Sequence, residues 1–291
     1  MPFVQIDGIE TRYDMIGSGP PLLMFSPGGF NATLEQWCSL GIYARTRPLE
    51  HLSRHYTCIV FDRRECGQSG GRIESVGWDD FVAQGKGLLD HLGIASAHMM
   101  GGCMGCSPVL AFAVAHPAMV RSMVLYWPVG GARYRLTSEQ RFAEHLAYVE
   151  AYGLAQVVAL VRERCKPFGA DPRGGPWASV IARDSDFAER FALQDVQQYK
   201  LLVTDMAHSL IDRDTAPGAE PEELMALQMP ALIIPGKDAS HATSAARYLE
   251  ECLARAEYWD VSPADQSEET TTAHLLRFLA DASKQTDLPP P

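Results

Sequence analysis

The chain has 291 residues, 46% of them hydrophobic and 21% charged, with a formal net charge of −11. A chain of this length buries one large core or two modest ones, and its excess of carboxylates repels phosphate backbones, so no nucleic-acid partner is expected. No apolar run approaches the roughly 20 residues that span a bilayer, and the opening MPFVQIDGIE lacks the basic and apolar regions of a secretory signal, so the expected setting is the cytoplasm, without membrane association.

In chain order, FVQID and ETRYDM flank Gly8 and predict an antiparallel hairpin at a sheet edge. Short apolar runs then alternate with helical patterns. The strand candidates are PLLMFSP (21–27), YTCIVFD (56–62), AHMMGG (97–102), VRSMVLYWP (120–128), PALIIPG (230–236) and AEYWDV (256–261). Continuous apolar runs suit strands buried on both faces. A helix is predicted from Trp78 to Leu92, with Phe81, Leu88, Leu89 and Leu92 on one face. Others start at Ser107 and Ser244, and a last runs from Thr272 to Ala282, offering Leu275, Phe278 and Leu279 to the core. The alternation predicts an α/β fold, a mostly parallel sheet with helices on both faces. No strand pattern occurs between about Gly130 and Gln228, which predicts a helical insertion over 130–228 in a core formed by 1–129 and 229–284. Residues 285–291 read as a disordered tail.

Seven cysteines, an odd number at irregular spacing, do not make a disulfide framework, and most read as small buried apolar residues. One stands apart. In HMMGGCMGCSPVL, Gly101-Gly102-Cys103-Met104-Gly105 lies between a strand and a helix, the setting of the strained turn that presents a nucleophile, G-x-S-x-G with cysteine at the centre. The central residue is forced into an unfavourable backbone conformation, and neighbours without a β-carbon relieve the crowding. At a helix N-terminus the dipole favours thiolate.

These residues resemble the α/β-hydrolase superfamily, and the resemblance covers nearly the whole chain. PLLMFSPGGF with Trp37 looks like the first parallel strand and its oxyanion loop, with Pro27-Gly28 where a His-Gly pair is commoner. Asp62 to Ser69 resembles the D-x-R-G-x-G-x-S loop, with Glu65 replacing a glycine. PALIIPGKD resembles the strand that delivers the catalytic acid, which makes Asp238 the acid. The resemblance implies an eight-stranded, mostly parallel sheet, the 130–228 insertion as a cap, and chemistry like that of dienelactone hydrolases, which also use cysteine. The family's histidine usually follows the last strand, yet SPADQSEETTT contains none. His274 comes 13 residues after Val261, and His241 lies three residues after Asp238. The base is therefore His241, His274, or no histidine at all.

The expected function is hydrolysis of an activated ester, lactone or related carbonyl through a Cys103 thiolate and an acyl-enzyme. The oxyanion is expected to be held by the N–H of Met104 and that of Gly29 or Phe30. Without a base, a lyase, a transferase or a ligand-binding protein that has lost turnover takes its place. Arg133 and Arg135, flanking Tyr134, offer either a carboxylate clamp or a solvated surface. Trp127 and Trp177 fit either a pocket wall or the core. Glu65 either influences Cys103 or pairs with Arg63 or Arg64. Cys103 and Cys106 also spell a C-x-x-C redox signature, but the chain is too long for a thioredoxin-like module and has glycines on both sides of Cys103. Apart from His51 and His55, no H-x-x-x-H pair occurs among the nine histidines, and neither metal nor cofactor is expected. The partner expected is a small-molecule substrate, and a homodimer is left open.

Overall fold

The computed structural model describes residues 2–286. Its strands are β1 (Phe3–Ile6), β2 (Ile9–Ile16), β3 (Pro21–Phe25), β4 (Thr57–Phe61), β5 (Ala97–Gly102), β6 (Val120–Tyr126), β7 (Ala231–Ile234) and β8 (Ala256–Tyr258). They form one sheet in the order β1-β2-β4-β3-β5-β6-β7-β8. β1 and β2 run antiparallel at one edge, and β3 to β8 are parallel. The chain leaves β3 toward β4 on one side, whereas β5 pairs β3 on the other. The two loops that leave the carboxyl ends of β3 and β5 thus diverge and open a crevice, the usual site position in such sheets.

Both faces of the sheet are covered, which is why its strands are apolar without alternation. Leu23, Phe25, Ile59 and Ile233 pack under the helices Trp78–His91, Cys106–Ala115 and Thr243–Cys252. Their neighbours Leu22, Met24, Val60 and Ile234 pack on the other face with Trp37, Tyr43, and Leu275 and Leu279 of the last helix. Between β6 and β7 the chain is helical, from Ala132–Tyr152 to Pro221–Ala226. These helices have their own apolar cluster, including Phe142, Val157, Trp177, Phe191 and Tyr199, which reaches Met104 and Phe30 at the carboxyl end of the sheet. Inside it His145 is fully buried, with Nε2 2.7 Å from the Tyr199 hydroxyl and Nδ1 3.1 Å from the Arg173 carbonyl oxygen. Burial pushes its pKa down to about 4, so it is a neutral packing residue. Among the described residues no helix is long and apolar enough to cross a membrane.

Most strands are a residue or more shorter than read from sequence, and the largest differences lie at the last strand and helix. β8 ends at Tyr258, although the Trp259 N–H still donates to the Ile233 carbonyl oxygen of β7 at 3.0 Å; the Trp259 ring stacks on His274, centroids 4.4 Å apart. The last helix starts at Glu268 rather than Thr272 and runs to Thr286, so 285 and 286 belong to a helix rather than a tail; 287–291 lie outside the described residues.

The turn after β5 has no spare room. A β-carbon on Gly105 would lie 2.2 Å from the Phe25 carbonyl oxygen, and one on Gly101 2.4 Å from the Gly105 carbonyl oxygen. Backbone on both sides cannot yield cheaply. Gly105→Ala is expected to destabilise the fold by about 2–4 kcal/mol, read as a lowered urea midpoint at constant m-value. An unchanged midpoint would show that the turn is looser than this.

Candidate active site

β5 ends at Gly102, and Cys103 follows at φ +54. This left-handed conformation costs a β-carbon-bearing residue about 1–3 kcal/mol. It turns the side chain out of the strand line, just before a 3-10 turn (Cys103–Gly105) and the helix Cys106–Ala115. The sulfur is partly exposed and lines a cavity of about 220 Å³ with Gly28, Phe30, Met104, Tyr134 and Phe142. That is below the roughly 300–1,000 Å³ of pockets for drug-sized ligands, so the site suits a small one.

The loop after β7 carries the other groups. Asp238 accepts from the backbone N–H of Ser240 at 2.8 Å and of His241 at 2.9 Å, and its Oδ1 and Oδ2 lie 2.8 and 2.9 Å from His241 Nδ1. The acid thus holds the imidazole in the tautomer that leaves Nε2 free to face Cys103. The loop is tied to the start of the helical region: Gly130 N–H donates to the Ser240 carbonyl, and Ala242 N–H to that of Gly130. Trp127 packs on the imidazole, centroids 5.3 Å apart, and its Nε1–H donates to Gln266 Oε1 at 2.8 Å. Gln266 is fully buried and also donates to the Pro235 carbonyl at 2.8 Å. The segment after β8, which has no histidine, therefore braces the tryptophan beside His241.

His241 Nε2 is buried without a hydrogen-bond partner of ordinary geometry, and the Cys103 sulfur is close enough that each group shifts the other. Burial opposes charge on both. It is outweighed at Cys103 by the imidazole and by the N–H groups of Met104 and Gly28, and the thiol pKa falls below its ordinary value. Burial is likewise outweighed at His241 by Cys103 and then Asp238, and its pKa rises to about 9. Opposite shifts in a contacting pair favour thiolate and imidazolium together. The buried Cys106 goes the other way. Burial and the nearby Cys103 raise its pKa well above normal, and its thiol donates to the Gly101 carbonyl oxygen at 3.2 Å.

Other sequence expectations fall elsewhere. His274 sits on the last helix, 2.7 Å from Glu257 and stacked on Trp259, and does not line the cavity. Glu65 is buried against Arg64 at 3.1 Å, and burial pushes its carboxyl up to about 7 despite that partner. Arg64 also binds Asp80 at 2.9 Å and Glu74, a packing network away from the sulfur. Arg133 is exposed and Arg135 pairs with Asp214 at 2.9 Å, so neither overhangs Cys103. Trp177 is core, donating to the Arg72 carbonyl oxygen. Gly29 and Phe30 line the cavity, but the loop N–H that reaches the sulfur is that of Gly28. Sequence reasoning missed Gly28, Gln266 and Arg141. Arg141 could have been found, because Tyr134, Ser138, Arg141 and Phe142 recur at one-face helical spacing.

The sheet order and the turn at Cys103 define an α/β-hydrolase fold. Residues 21–128 match the family model described as the alpha/beta hydrolase fold. The chain is 27% identical over 200 residues to the dihydrolipoyllysine-residue acetyltransferase component of the acetoin cleaving system of Cupriavidus necator, an alignment spanning 69% of this chain but only 45% of that protein. It is 24% identical over 240 residues to a non-heme haloperoxidase of Rhodococcus erythropolis, with 82% of each chain covered. Among solved structures it resembles the enol-lactonase from Burkholderia xenovorans LB400, at 21% identity and TM-score 0.61, covering 96% of this chain and all of that one.

Proposed function

We propose that the protein is a hydrolase that cleaves a small activated ester or lactone through an acyl-thioester on Cys103. The observation that carries this reading is the placement of Cys103 at the strained turn beside His241, whose Nδ1 is held 2.8 Å from Asp238 Oδ1, with burial outweighed so that the thiol pKa falls and the imidazole pKa rises. The thiolate adds to the carbonyl carbon, and the C=O electron pair moves to oxygen. The N–H of Met104 and an N–H of the Gly28–Phe30 loop hold that oxyanion. Collapse expels the alkoxide or enolate, which takes the imidazolium proton. Neutral His241 then removes a proton from water as its oxygen adds to the thioester carbonyl, and the second collapse releases the acid and restores the thiolate. With a histidine held by an acid beside the sulfur, the lyase, transferase and binding-only readings lose the argument that favoured them.

The test is intact-protein mass spectrometry of samples acid-quenched during turnover of p-nitrophenyl acetate. One acetyl group is expected on the peptide containing Cys103, removable by neutral hydroxylamine. Turnover without any adduct on that peptide overturns the reading.

A further inference from the structure

Among the described residues no Asp or Glu lines the cavity beside Cys103, in a chain whose formal charge is −11. One arginine, Arg141, lines it, and a second, Arg63, whose charge Glu65 feels, lies nearby. Arg141 lines the cavity from the helix face that also carries Tyr134 and Phe142, and no carboxylate or carbonyl oxygen among the described residues pairs with it. Arg63 lies behind the Gly29–Phe30 wall. It is 3% exposed, with one Nη donating to the Gly29 carbonyl and its guanidinium 4.2 Å from the Phe81 ring centre and 5.9 Å from that of Phe30. Its Nε and other Nη are buried with no partner.

The acids nearest Arg63 in sequence are occupied. Asp62 accepts from Arg12 and from the N–H groups of Leu34 and Gln68, and Glu65 is held by Arg64. A buried cation left without an anion is costly, and protein interiors rarely retain one. Arg63 does not itself line the cavity, so Arg141 is the guanidinium that a ligand there can reach.

Resting on the hydrolase reading above, we propose that the substrate's acyl chain ends in a carboxylate. The reacting carbonyl lies at Cys103, and a short apolar middle lies against Val129, Phe142 and Phe168. The carboxylate lies on Arg141, with the charge of Arg63 behind the wall adding to the positive potential. A charge-assisted pair in a partly dry cavity discriminates strongly against a neutral end of the same length.

The experiment compares the mono-p-nitrophenyl ester of glutaric acid with p-nitrophenyl valerate, which is of equal length but uncharged. The native protein is expected to favour the acidic ester in kcat/KM by roughly tenfold or more. Arg141→Leu is expected to bring that ratio close to one, whereas Arg133→Leu, exposed on the same helix, leaves it as it was. Equal handling of the two esters by the native protein, or a ratio untouched by Arg141→Leu, overturns the proposal. A second measurement needs no turnover: glutarate is expected to slow alkylation of Cys103 by iodoacetamide in the native protein and not in Arg141→Leu. If neither ester is hydrolysed but glutarate protects the thiol, the hydrolase reading fails and the anion site stands. If valerate is hydrolysed and glutarate protects nothing, the anion site fails alone.

Discussion

Cys103→Ala is expected to lower kcat for p-nitrophenyl acetate, corrected for buffer hydrolysis, by about a thousandfold to ten-thousandfold or more. The substitution removes only the sulfur. Alanine has the same β-carbon at φ +54, so the turn gains no new strain, and circular dichroism and the urea midpoint should match the native protein. The cavity, the N–H groups of Met104 and Gly28 and the His241–Asp238 pair all persist, and what activity survives measures their share without a covalent step. Retention of more than a tenth of native activity would mean that the ester is cleaved elsewhere or by water activated directly at His241. Serine at the same position is expected to fall between the two. Its hydroxyl does not ionise against an imidazole as a thiol does, so the resting ion pair is lost and His241 must act as a base from the outset.

Replacement of His241 by alanine has the second-largest expected effect, and it separates the two halves of the reaction. In the resting protein the imidazole holds the thiol pKa down while its own sits at about 9. Acylation therefore needs a pH above the lowered thiol pKa and falls off as pH rises through about 9, where the proton meant for the leaving group is lost. Once the sulfur is acylated its negative charge is gone. Burial still opposes the imidazolium, and the support from Cys103 that outweighed it has been removed. The imidazole then gives up its proton at lower pH and becomes the base for deacylation. Without it, a burst of p-nitrophenol equal to one protein equivalent is expected, with a steady rate about 10²–10³-fold below native. Alkylation of Cys103 by iodoacetamide at about pH 6.5 should slow as well, because the thiolate has lost its partner. A variant that deacylates and alkylates at native rates would remove His241 from the mechanism.

Much of this architecture was legible because buried parallel strands are continuous apolar runs. β5 coincides with AHMMGG residue for residue, and the edge hairpin around Gly8 is where its turn residues put it. The errors have local causes. AEYWDV continues an apolar pattern past Tyr258, where Trp259 still packs on the sheet-face core and donates to Ile233 but its ring also stacks on His274. Thr270, Thr271 and Thr272 read as poor helix formers, whereas Ser267 Oγ accepts from the Thr270 N–H and Glu268 and Glu269 fill the first turn, a start signal strong enough to override them. At the site, Cys103, Asp238 and Met104 follow from one turn and one strand end, and His241 stood among the alternatives by its nearness to Asp238. Arg141 lines the cavity, whereas Arg133 is exposed and Arg135 pairs with Asp214, a division set by the helix's rotation of about 100° per residue. Gln266 could not be assigned at all, since its partners Trp127 and Pro235 lie far away in sequence and meet it only in the folded chain.

Asp238 and His241 sit on one short loop, hydrogen-bonded to each other and anchored to Gly130 through the backbone of Ser240 and Ala242. The Asp238 carboxylate and His241 imidazole therefore form a single unit, whose internal hydrogen bonds do not involve the last helix. Fraying of the last helix, the kind of low-energy opening that chain ends undergo, can loosen the Gln266 brace but cannot pull the two apart. The hydrogen bonds that hold His241 to Asp238 are thus local to residues 238–241.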